Sequence, residues 1–292
     1  MEVMEKINEY VSKYGYFLEE SIGKSGSTGS ETRAQFIIKG DGNTQEGKAG
    51  GVDEETEDYA PAVREYARDL REILIGKLSG IRICRYSLKI AYGEDFVLKH
   101  KYSSIPCLME NASELAGNLA AAIVVKSGEE ALPEDGLDFE FNATLEDANT
   151  LEVTCEDLAS VCTATGAQLK FADPCRHIAT LVRPEDCERV ILTLRFTVAE
   201  GSGLLDADGE NESPEEKCRA KNNESDEKIY VPTGARYQPT MRCAVVPTDD
   251  GCVKMEIETD GSRTPREALL EAASRLASPR VHLDRFKEDA SS

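Results

Sequence analysis

The chain has 292 residues and a net charge of −21, with 55 acidic against 34 basic side chains, and 40% of it is hydrophobic. That is enough apolar material for one large or two modest cores. The acidic field opposes adhesion to nucleic-acid phosphates, because that attraction is largely cation exchange at the backbone, and no long basic run offsets it. Nine cysteines without a C-x-x-C pair argue against a disulfide framework and against a zinc ribbon. Cys155, Cys162, Cys175 and Cys187 read as small hydrophobes.

The opening MEVMEKINEYVSKYGYFLEE is acidic from its second position and lacks a continuous apolar core. A secretory signal and a membrane span are therefore not expected, and an intracellular chain is. Met4, Ile7, Val11, Tyr14 and Leu18 recur at steps of three and four, which predicts a helix with one apolar face over residues 2–19. SIGKSGSTGSE reads as a linker; its GKSGS fragment lacks the strand and the glycine spacing of a phosphate-binding loop. TRAQFIIKG predicts a strand, and the polar DGNTQEGKAGGVDEETED a loop. YAPAVREYARDLREILIGKL predicts a helix, with Pro61 in its first turn and Val63, Tyr66, Ala67, Leu70, Ile73, Leu74 and Leu78 at helical spacing. That stripe is broad enough to cover a sheet and meet another subunit.

Residues 81–98 read as two strands separated by AYGE. ENASELAGNLAAAIVVKSGEE fits either a helix or a helix leading into a strand, and periodicity does not choose between them. LDFEFNATL, NTLEVTCEDL and CERVILTLRFTVAEG are strand candidates, which gives the chain a β-rich middle. The charged run SGLLDADGENESPEEKCRAKNNESDEK has little that could form a core and reads as a solvated loop. Its DADGEN lacks the full order of a calcium loop, and the sequons at Asn211 and Asn223 carry no weight without a secretory signal. CVKMEIETDG alternates Val253, Met255 and Ile257 with charges and ends in a turn. Thr264 then caps a helix, Pro265 takes its first position, Glu267 completes a capping box, and Leu269, Ala272, Ala273 and Leu276 form its apolar side.

In their order along the chain, YARDLREILIGKLSGIRI, VLKHKYSSIPC, HIATLVRPEDCERVILTLRF and KMEIETDGSRTPREALLEAASRL resemble the alpha-like assembly subunits of multisubunit DNA-directed RNA polymerases. This family holds the bacterial alpha subunit, the archaeal D subunit and the third-largest subunit of eukaryotic polymerase II. The resemblance spans roughly residues 33–277. Ala67, Leu70, Arg71, Ile73, Leu74 and Ile75 fit the pattern of the family's first helix, while Glu72 replaces its second arginine and Arg68 its usual asparagine. His100, Ile105 and Pro106 match a later segment, and Tyr237 and Pro239 the segment that leaves the insert. The insert lacks the clustered cysteines of some relatives, so no iron–sulfur or zinc site carries over. Departures of this degree point to a divergent lineage, such as a large DNA virus with its own polymerase.

The resemblance implies an α+β fold, a discontinuous dimerisation domain interrupted by a β-rich insert. The expected division is an N-terminal helix and linker at 1–32, dimerisation domain at 33–83, insert at 84–245 with a flexible acidic loop at 202–229, and dimerisation domain with a tail at 246–292. Val63, Tyr66, Leu70, Ile73, Leu74, Leu269, Ala273 and Leu276 are expected to line a dimer interface, and Arg71 and Glu72 to contact a large subunit. The implied partners are a small alpha-like subunit and two large catalytic subunits, with nucleic acid met only through the complex and no membrane. A heterodimer is favoured over a homodimer, since the acidic field penalises like-with-like pairing. No catalytic residue, cofactor or metal is expected. The site of action would be nuclear, cytoplasmic or a virion. Two competing readings stand beside this scaffold: an acidic adaptor acting through residues 206–227, and a hydrolase using carboxylates from separate strands.

Overall fold

The computed structural model describes residues 2–12, 16–21, 32–40, 59–128, 132–133, 135–202, 229–248 and 251–277. The GKSGS and DADGEN fragments, the sequons, and the acidic loops at 41–58 and 206–227 lie outside the described residues. The chain divides into two units, one made of residues 1–78 and 238–292, the other of residues 79–237.

The first unit joins the two ends of the chain. Its helix α1 (Glu2–Ser12) precedes strands β1 (Tyr16–Ser21) and β2 (Arg33–Gly40) and helix α2 (Tyr59–Gly76). The returning chain adds β12 (Thr240–Pro247), β13 (Val253–Thr259) and helix α5 (Pro265–Leu276). The four strands form an antiparallel sheet in the order β1-β2-β13-β12, so the strand from the chain's end pairs with one from its beginning, Met255 opposite Phe36 and Val253 opposite Ile38. Period-two alternation puts Phe36, Ile38, Cys243, Val253, Met255 and Ile257 on one face. The three helices cover that face with Ile7, Val11, Leu70, Leu74, Leu269 and Ala273, all in one core. Glu19, Arg33, Lys39, Lys254 and Glu256 occupy the other face, where Arg33 pairs with Glu256 and Lys39 with Glu19.

In the second unit, β3 (Ser79–Ala91) and β10 (Val190–Ser202), thirteen residues each, pair along their length with a bulge at Thr197/Val198. With β6 (Leu137–Leu145), β11 (Val231–Pro232) and β4 (Asp95–Val97), which pairs with β3, they build a five-stranded antiparallel sheet. Two short ribbons join β5 (Val124–Lys126) to β8 (Leu169–Phe171) and β7 (Thr150–Thr154) to β9 (His177–Val182). Helices α3 (Ala112–Ala120) and α4 (Cys155–Ala164) share the core with the sheet's inner face. There the Phe139 and Phe196 rings stack at 5.4 Å, and the buried Tyr86 hydroxyl donates to the Ala112 carbonyl at 2.7 Å.

Three expectations are corrected here. The first boundary lies at Leu78/Ser79 instead of 83/84, because Ser79–Ala91 is one unbroken strand of the second unit. The second lies at Tyr237/Gln238 instead of 245/246, because Thr240–Pro247 pairs with β13. The N-terminal segment is no separate periphery: Ile7 and Val11 have no exposed surface and belong to the first unit's core. Within that segment the helix ends at Ser12, and Leu18 is a buried strand residue.

Candidate subunit interface

Helix α5 is set by its first turn. The Thr264 hydroxyl accepts from the Glu267 amide, and the Glu267 carboxylate accepts from the Thr264 amide at 2.8 Å, so two amides the helix leaves unpaired are satisfied reciprocally. Pro265 follows at a position whose amide would have no helical partner. So anchored, the helix turns Ala268, Leu269, Ala272, Ala273 and Leu276 inward, and the small alanine side chains let α2 approach. Helix α2 answers with Val63, Tyr66, Ala67, Leu70, Ile73 and Leu74.

The eight side chains expected at a dimer interface, Val63, Tyr66, Leu70, Ile73, Leu74, Leu269, Ala273 and Leu276, are between 0 and 5% exposed. In the chain by itself they are the core of the first unit. Helix α5 packs against α1 as well as α2, and all three rest on the same sheet. The apolar stripes are covered from within, and other side chains form the outer surface of the helix pair. Those are the outward rows: Arg64, Glu65, Arg68, Arg71 and Glu72 on α2, Arg266 and Glu267 on α5, all exposed. Half-buried Ile75 on α2, Leu270 on α5 and Val3 and Met4 on α1 interrupt the charges.

Arg71 and Glu72 do lie on the exposed row. The Arg71 Nε donates to the Cys243 carbonyl at 3.1 Å and ties α2 to β12, the strand at one end of the sheet. Glu72 pairs with Lys77 at 3.1 Å. Arg266 reaches Glu20 at 2.7 Å, and Arg275 joins Glu271 at 2.6 Å and the Lys77 carbonyl. The helix layer is thus laced by ion pairs, exposed at Glu72–Lys77 and half-buried at Glu20 and Glu271, and an exposed pair is worth little to stability in water.

In the second unit, Tyr237 closes the segment that returns from the insert. A Cβ placed on Gly201 would meet its ring at 2.8 Å, and one on Gly80 would meet its carbonyl oxygen at 1.9 Å. The aromatic singled out by the resemblance therefore packs where glycine is needed on both long strands. His100 is exposed and builds a turn, its Nδ1 lying 3.3 Å from the Tyr102 amide and from the Ser103 hydroxyl. His177 stands between two carboxylates, Nε2 2.7 Å from Glu110 and Nδ1 3.1 Å from Glu152. Burial raises the Cys155 thiol to about 11 and the Cys162 thiol to about 12, so both stay protonated. Carboxylates on the outer face of the large sheet are bound in cross-strand pairs, Glu140 with Arg195 and Asp138 with Arg85 and Thr197.

Residues 66–278 match the family model described as the RNA polymerase Rpb3/Rpb11 dimerisation domain. The chain belongs to this family. No curated protein matches it. The match begins inside α2 and ends just beyond α5, so it takes in the whole second unit, the later part of α2 and all of α5. The family is one of non-catalytic polymerase subunits, and this chain is an alpha-like subunit that pairs with other RNA polymerase subunits. Sequence reasoning assigned the pairing role to the stripes; Leu270 stands beside Leu269 but just off the inward row.

Proposed function

We propose that this alpha-like subunit pairs with a small alpha-like subunit through the outward row of its α2–α5 layer, and that the pair nucleates assembly of the two large catalytic subunits. The observation that carries the reading is a sheet closed from both chain ends under the α2–α5 helix pair, in a chain of a dimerisation family. Ile75 and Leu270 supply apolar anchors in a row otherwise made of mixed charges, a composition suited to a seam with an apolar centre and a polar rim. A partner of different charge fits better than a second copy, given the net charge of −21. Arg71 keeps its guanidinium at the surface for a forked contact with a large subunit, and Glu72 stands beside it. Nucleic acid is met only through the complex.

The test is Ile75→Glu combined with Leu270→Glu in the full chain, co-expressed with the small subunit. Both side chains are only partly buried, so the variant should melt near the parent yet fail to retain its partner on a column. Undiminished pairing by the folded variant would place the seam elsewhere.

A further inference from the structure

Two cysteines far apart in sequence lie beside each other on the second unit. Cys107 belongs to the connection between β4 and α3, and Cys187 to the connection between β9 and β10. The Val182 amide donates to the Cys107 carbonyl at 2.8 Å, next to the bridge between Leu108 and Leu181, so Cys107 runs alongside the end of β9. The chain then turns back on itself: the Cys187 amide donates to the Pro184 carbonyl at 3.1 Å, and Arg183 Nη1 donates to the Cys187 carbonyl at 3.0 Å. Both side chains are half-buried and pack against the same core. They are near enough for charge on one to act on the other. Burial is the larger influence raising the Cys107 pKa above its ordinary value, and Cys187 adds to it.

The backbone marks the same pair. Cys107 has a φ of 59°, and no other non-glycine among the described residues has a positive φ. That left-handed conformation crowds a Cβ against the backbone, a cost glycine would avoid, so a thiol is kept where the chain geometry favours no side chain. The Cys187 Sγ is turned toward polar atoms, 3.1 Å from the Arg189 carbonyl and 3.6 Å from that of Tyr92. Cys155 and Cys162, by contrast, have no exposed surface and are out of reach of a reagent.

We infer that Cys107 and Cys187 form a reversible disulfide when the chain meets a small-molecule disulfide such as oxidised glutathione, a latch fastening the segment before α3 to the β9–β10 connection. The Cys187 thiolate attacks one sulfur of glutathione disulfide, whose S–S bond breaks and releases one glutathione thiolate. Cys107, the slower of the two to lose its proton, then attacks the Cys187 sulfur and expels the second glutathione. Two protein thiols are oxidised, glutathione disulfide takes up their two electrons, and the two protons leave with the glutathione thiols. The new bond closes the stretch of chain from 107 to 187, which restricts the unfolded ensemble and stabilises the second unit. A reducing thiol pool reopens it. The inference stands on the second unit alone and does not depend on the pairing proposed above.

The experiment incubates the full chain, reduced and then freed of reductant, with oxidised glutathione at neutral pH, folded and in urea, before alkylation, digestion and mass spectrometry. The folded chain should link Cys107 to Cys187 several-fold faster than any other pair and several-fold faster than the chain in urea, and dithiothreitol should undo the link. The oxidised chain should melt above its reduced form. Cys107→Ser should retain glutathione on Cys187, because no second thiol displaces it. Glutathione retained on Cys187 of the folded parent, a link formed no faster than in urea, preferential pairing of other cysteines, or an oxidised chain that melts no higher would each overturn the inference.

Discussion

His177 is the residue whose surroundings give the plainest pH dependence. Its hydrogen bond to Glu110 is the largest influence and raises its pKa above the ordinary 6.5; burial opposes this, and the bond to Glu152 adds to it. The folded protein therefore holds the proton more tightly than the unfolded chain does. Stability from this cluster is complete below the ordinary histidine value and is lost as pH rises through the folded one. His177→Gln should lower the melting temperature most near about pH 6 and progressively less toward about pH 9. A difference of constant size across that range, read by calorimetry, would contradict the cluster as described. The histidine itself was visible in the sequence; its two carboxylates, 67 and 25 residues away, were not, since only the pairing of β7 with β9 brings Glu152 alongside. Tyr237 was legible through the resemblance, but its need for glycine at 80 and 201 appears only when the two long strands lie under its ring and backbone.

Helix ends show how far local chemistry carries. Thr264, Pro265 and Glu267 announced α5, and its capping box is formed as expected. Thr264→Ala should cost about 1 kcal/mol of the first unit's stability, measured by denaturant unfolding; an unchanged midpoint would show that the cap does not hold the helix. The same code, Thr154 with Asp157, opens α4, yet NTLEVTCEDL reads as strand throughout. Leu151, Val153 and Cys155 alternate across the junction, and that period-two signal masked the change to helix. Asn111 and Glu114 box the start of α3 in the same way and resolve the ambiguous stretch into a helix followed by β5. Strands as short as β8 give too few alternations to be read. The α2 stripe was legible as an apolar face, but no pattern of spacing says whether the cover is the chain's own sheet or a partner. Leu70→Asp makes the distinction concrete. A charge buried where Leu70 has no exposed surface should unfold the unit, and so abolish pairing only indirectly.

At the scale of the molecule, the discontinuous order was readable because the two ends carry complementary parts, a strand and helix early and a strand, turn and helix late. The boundaries were misplaced by several residues, since β3 and β12 begin before any composition change marks them. The pairing of β13 with β2 then makes the first unit depend on both ends at once. Such a unit can form only once β13 and α5 are available to meet β2 and α2. The most direct measurement is gentle native purification of the full chain, followed by native mass spectrometry of the intact particle and of its released components. The account predicts two very large polymerase subunits and one small alpha-like subunit in fixed stoichiometry with this chain. A lone monomer, or a homo-oligomer without polymerase subunits, would contradict it.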